Sequence, residues 1–165
     1  MSNKPGHAVY KFLDTAGNGT GTKNAVGDYS SSPGTFYYQP DTPTRIHRLV
    51  IHIEDTTGMQ AQEYGNLGGA LSAGYSLIVQ NDLQQTQVDL CDGVPIKTNA
   101  GIGRYCYDVD LKSWGAGNEM LQARWTFSRA GYPLYLYKDW RLSITFNDNL
   151  SGLLEHYFMI QGYAV

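Results

Sequence analysis

Three runs in this chain alternate apolar and polar residues with period two, and no segment sustains the 3.6-residue apolar spacing of a helix. Tyr105, Tyr107, Val109 and Leu111 alternate with Cys106, Asp108 and Asp110. Leu121, Ala123, Trp125 and Phe127 alternate with Gln122, Arg124, Thr126 and Ser128, and Leu142, Ile144 and Phe146 with Arg141, Ser143 and Thr145. Successive side chains of an extended backbone point to opposite sides, so each run reads as an antiparallel strand with one face on a core and one in water. Less regular extended runs span 35–39, 45–54, 75–80, 87–90 and 154–165. In the second of these, Leu49, Val50, Ile51 and Ile53 are too apolar for an exposed face, so that strand belongs at the centre of a sheet or under a partner. Residues 60–64 allow one helical turn at most.

Strong turn signals separate the runs: Pro40-Asp41 and Pro43, Gly68-Gly69, Asn81-Asp82, Asp92-Gly93, Gly115 and Gly117, Gly131 with Pro133, and Asn147-Asp148. About eight short strands with this punctuation predict an all-β, antiparallel β-sandwich, with a jelly roll the leading topology. An immunoglobulin-like sandwich is the alternative, although the strand around Trp125 lacks the flanking cysteine pair of such domains. The chain has 165 residues, enough for one body with a sizeable core, and no internal repeat.

The first third reads differently. Residues 14–34 carry glycines at 17, 19, 21, 27 and 34 among Asn, Ser and Thr, with too little apolar surface to offset the entropy of ordering. They predict an extended N-terminal arm, residues 1–34, ahead of a sandwich body, residues 35–165. Such an arm needs a surface to lie on, either its own domain or a neighbouring subunit.

Few residues point to catalysis. The net charge of −3 and the scattering of Lys and Arg argue against a nucleic-acid groove. No long apolar stretch exists to span a membrane, and none follows Met1 as in a signal peptide. His47 and His52 stand five apart in one strand, which on strict alternation puts them on opposite faces and prevents a shared metal. His156 lies in the last strand beside Glu155 and Tyr157. Asp108 and Asp110 share a face and read either as half of a calcium site or as the polar side of an ordinary strand. Glu63, Glu119 and Glu155 could serve a glycosidase, but nothing in the sequence pairs them. The run from Gly17 to Gly21 lacks the strand, helix and Gly-Lys-Ser/Thr ending of a phosphate loop. Cys91 and Cys106 form no zinc spacing and read as buried thiols or a single disulfide. The expectation is therefore no catalytic residue, no metal and no cofactor. Only 16% of residues are charged and 13 are tyrosines, a profile suited to a β protein partly covered by partners. Tyr132, Tyr135, Tyr137 and Trp140, crowded around a Gly/Pro turn, read as core, interface or sugar-stacking residues.

Residues 45–66, ending EYGN, the run DGVPIKTNAGIGRYCYDVDLKSWGAGNEMLQARWTFSRAG, and the ending FNDNLSGLLEHYFMIQGY together resemble a group of small virion-associated proteins of tailed bacteriophages, whose genes commonly neighbour the major capsid gene. The resemblance covers residues 44–163 and leaves the arm outside it. It implies a jelly-roll-like subunit that decorates or cements a capsid, a trimer at local three-fold positions with the major capsid protein as partner. Such a protein is made in the host cytoplasm and resides on the capsid exterior. On this reading Tyr10, Phe12, Tyr29, Phe36, Tyr37 and Tyr38 are the interface anchors along the arm. The competing readings are a tail, collar or fibre-base component, a carbohydrate-binding module for host adsorption, a major coat protein, and a hydrolase on a β-sandwich.

Overall fold

The computed structural model describes residues 6–21, 25–114, 117–130 and 133–165. Residues 1–5 and 22–24 of the expected arm, the turn residues Gly115 and Gly131, and Tyr132 lie outside these. Ten strands carry the chain: β1 (Ala8–Phe12), β2 (Gly34–Tyr38), β3 (Thr44–Thr56), β4 (Ile78–Gln80), β5 (Thr86–Asp89), β6 (Asp108–Trp114), β7 (Asn118–Thr126), β8 (Leu134–Leu136), β9 (Arg141–Phe146) and β10 (Glu155–Ala164). They form two antiparallel sheets, one of six strands in the order β1-β10-β3-β7-β6 with β8 also on β3, and one of four in the order β2-β9-β4-β5. The fold is the expected all-β sandwich. A jelly roll has eight strands in two sheets; here ten strands divide as six and four.

The apolar run of β3 explains its place. Its backbone is paired on both sides, by β10 and by β7, and Leu49, Ile51 and Ile53 enter the core. Across the sandwich they meet Leu142, Ile144 and Phe146 of β9, and the Phe146 ring stands 6.0 Å from that of Phe158 on β10. Removing these aliphatic and aromatic faces from water is the main favourable term in folding.

One irregularity corrects the sequence reading. In the β3–β10 ladder Gln161 lies opposite Arg48 and Gly162 opposite Ile46, so His47 is an extra residue on the β3 side. This β-bulge reverses the parity of the strand: Ile46 points inward, but so do Leu49, Ile51 and Ile53. His47 stacks on Tyr163 at 5.2 Å and His52 on Tyr157 at 4.4 Å, and both tyrosines share one face of β10. The two histidines therefore occupy the same outer face rather than opposite ones. Gly162 belongs at the bulge because a Cβ there would stand 2.0 Å from the Arg45 carbonyl oxygen.

The segment expected as an arm is extended and lies on its own body. β1 adds to the edge of β10, with Phe12 opposite Met159 and Ala8 opposite Tyr163. Val9, Leu13 and Ala25 are buried in the core, the Ala25 N–H donates to the His156 carbonyl, and the Tyr29 N–H to that of Asp148. The glycine-rich loop wraps a buried carboxylate: Gly17 N–H donates to Asp14 Oδ1 (2.6 Å) and Gly21 N–H to Oδ2 (2.8 Å). Gly17 has φ +74°, and a Cβ at that position would overlap the Tyr37 ring. Backbone and side-chain hydrogen bonds thus tie the described parts of this segment to the body at Leu13, Asp14, Ala25 and Tyr29.

A short helix, α1 (Asn99–Gly103), was not legible in its sequence NAGIG, whose two glycines disfavour helix. Tertiary contacts form it. Thr98 caps it through Oγ1 to Gly101 N–H (2.9 Å), Ala100 N–H donates to the Ala61 carbonyl, and Ile102 is buried. The 60–64 segment makes turns rather than a helix.

Candidate functional site

His156 is fully buried, and its Nε2 lies 2.7 Å from the Tyr64 hydroxyl, which donates to the Tyr75 hydroxyl (3.0 Å). Burial, and secondarily the charge of His52, pulls its pKa down to about 3, while burial pushes both tyrosines well above the ordinary range. Phe146 and Phe158 pack against the imidazole, so this chain of polar groups is sealed inside the core. Asp110 pairs with Arg124 at 3.1 Å, and Asp108 lies opposite Arg124 in the β6–β7 ladder, so this aspartate face is matched by a cation. Glu119 accepts from the Met59 N–H (2.8 Å). Cys91 and Cys106 are free buried thiols; burial raises both pKa values, that of Cys106 to about 12, the nearby Cys91 adding to the shift.

One set of ligand-type side chains does converge among the described residues. His52, Glu54 and Glu155 bring their ligand atoms within 4.8 Å of one another on the outer face of the six-stranded sheet. Burial lowers the pKa of His52, with Glu155 and then Glu54 acting in the opposite direction.

The six residues expected as arm anchors have different fates. Phe36 and Tyr38 are 4% and 2% exposed and belong to the chain's own core, on β2, the strand expected at 35–39. Tyr29 packs edge-on against Phe36 and also against Phe146. Tyr37 lies under the Arg141 guanidinium, 5.0 Å away, and Phe12 meets Tyr157 edge-on. Of the six, Tyr10 alone is largely open, at 66%.

Open apolar side chains also stand at the other margin of the large sheet, as they do at Leu83, Val88 and Val94 near β5. Val109 and Leu111 face the core side, opposite Ala123 and Leu121 in the ladder, and those two are buried. Yet Val109 is 40% and Leu111 52% exposed, and Tyr107 before them is 62% exposed with the Arg129 guanidinium 4.3 Å from its ring. Alternation identified this face as the apolar one, and the exposures show that it is left partly uncovered. Met59, Ala61 and Ala100 line a groove beside Val109 and Leu111. Among the described residues β6 is also the last strand of its sheet, with no strand beside its outer edge. An edge strand of this length with apolar side chains is a template for pairing and packing with another chain.

Tyr135, Tyr137 and Trp140 stack edge-on in series at 4.8 Å per step, with Tyr137 half exposed.

No protein-family model, no curated protein and no solved structure matches this chain.

Proposed function

We propose that this protein is a structural virion subunit that decorates and stabilises a tailed-phage capsid, and that it works by binding rather than by catalysis. The observation that carries the reading is the uncovered margin at β6, where Tyr107, Val109 and Leu111 stand open beside an unpaired strand edge. The resemblance of residues 44–163 to small phage virion proteins is what suggests the kind of assembly, the trimer and the major capsid protein as partner. A three-fold ring cannot close by an edge meeting itself, because a self-complementary contact makes a two-fold pair. The β6 margin of one copy therefore meets a different patch of its neighbour.

A subunit that binds the finished shell and not its dissociated parts stabilises the shell by mass action. Three modest contacts held in one rigid trimer add up through avidity. The test uses the purified full-length chain, heads stripped of it from the phage that carries its gene, and unexpanded shells of the same phage. Saturable co-sedimentation with expanded heads and none with unexpanded shells is the expected result. Binding to isolated tails instead would move the protein to the tail, and binding to neither would remove the virion reading.

A further inference from the structure

We propose that His52, Glu54 and Glu155 form a binding site for one divalent transition-metal ion that clamps β3 to β10 on the outer face of the large sheet. The geometry comes from register. Glu54 and Glu155 lie directly opposite each other in the β3–β10 ladder, and His52 is two residues before Glu54, hence on the same face. Their ligand atoms all fall within 4.8 Å of one another, close enough for modest side-chain rotation to surround one ion.

Four further observations point to a cation. Like charges placed directly across a ladder destabilise it, yet among the described residues no Lys or Arg pairs with either glutamate, the ion pair there being Arg124–Asp110. His52 is 4% exposed, its Nδ1 is buried, and that nitrogen has no hydrogen-bond partner. The ring is also held in place, stacked on Tyr157 at 4.4 Å with an 11° interplanar angle. Meanwhile Asn118 Nδ2 donates to Glu54 Oε1 (3.2 Å), which orients that carboxylate from outside the cluster as outer partners of metal ligands do.

One imidazole and two carboxylates suit zinc and neighbouring first-row ions better than calcium or magnesium, which prefer oxygen alone. Three protein ligands leave one or more positions for water or for a group from a bound partner. The site stands apart from the β6 margin and does not depend on what that margin binds.

The test uses the untagged full-length chain, stripped with a chelator and dialysed free of it. It is titrated with ZnCl2 by calorimetry and, in parallel, with Co²⁺ followed by visible absorption. Wild type is expected to bind one equivalent of Zn²⁺, to melt at a higher temperature with it, and to give a Co²⁺ ligand-field band. Glu54→Gln and Glu155→Gln should each weaken Zn²⁺ binding at least about tenfold, and His52→Gln should lose the Co²⁺ band. Circular dichroism of the metal-free variants identifies any that fail to fold, and the remaining ones decide. His7→Gln, an exposed histidine at the far end of the β1–β10 ladder, should bind as wild type does. Absence of binding by wild type at millimolar Zn²⁺ overturns the site. So does undiminished binding by the folded glutamine variants, or its loss in His7→Gln alone.

Discussion

Replacing Asp148 by Ala is expected to lower the free energy of unfolding by roughly 3–5 kcal/mol. The Asp148 side chain is 4% exposed and accepts three backbone N–H groups from one loop: Ser72 and Ala73 at Oδ1 (2.6 and 3.1 Å) and Gly74 at Oδ2 (2.9 Å). Its own carbonyl accepts from Tyr29 N–H, so it ties the N-terminal segment and the 72–74 loop to the end of β9. The Gly74 donor is buried and those of Ser72 and Ala73 partly so, and hydrogen bonds to a charged group contribute about 1.5–3 kcal/mol each. The cleft beside the carboxylate lets water reach part of the loop, which keeps the total below the simple sum. Asp148→Asn keeps one carbonyl acceptor and should cost less than Ala. Urea denaturation of the three proteins checks this: the midpoint should fall in the order wild type, Asn, Ala with a similar slope. Equal midpoints for wild type and Ala would show that the loop does not depend on the carboxylate.

Lowering the pH from 6.5 towards 4 is expected to remove about 3 kcal/mol of stability through His156 alone. The imidazole is fully buried, with its pKa pulled down to about 3 against 6.5 when free. With Tyr64 donating to Tyr75, Nε2 carries the proton that reaches Tyr64, and Nδ1 is left buried with no partner to receive a second proton's hydrogen bond. Between these two pKa values the unfolded chain binds a proton that the folded chain does not. Stability from this group is thus fully present above pH 6.5 and lost as the pH falls towards 3. Carboxylates titrate in the same range, so the informative quantity is the difference from His156→Gln, which retains a donor to Tyr64 but cannot titrate. The wild-type advantage at pH 7 should shrink steadily with acid, and a gap that stays constant from pH 7 to 4 would contradict the assignment.

The alternating runs 121–127 and 141–146 carried their own faces: Leu121, Ala123 and Trp125 are inward on β7, and Leu142, Ile144 and Phe146 on β9. Alternation is a local property of an extended backbone, and it was legible for that reason. The bulge at His47 was not, because the unbroken apolar run that follows hides the change of parity, and only the partner strand reveals the extra residue. Residues 14–34 looked loose because composition counts apolar surface, whereas the described residues of this segment are held by the buried Asp14 and Asp148 and by backbone pairing. The Asp14 signal was visible as an acidic residue before a glycine-rich turn, but not the amides it would reach. His52-x-Glu54 could be read as one face of a strand, while Glu155, a hundred residues later, joined them only through the ladder register. At β6 the apolar face was apparent and its lack of cover was not, since cover depends on what packs across from the strand rather than on the strand itself.

If the uncovered margin of β6 is where this chain meets a copy of itself, the mass of the purified full-length protein decides the matter most directly. Light scattering across a concentration series should give three chain masses, falling to one on Leu111→Lys, which sets a charge into the exposed apolar face, with the circular dichroism unchanged. A wild-type chain that stays monomeric at every concentration, or a trimer indifferent to Leu111→Lys and to Val109→Lys, would contradict it.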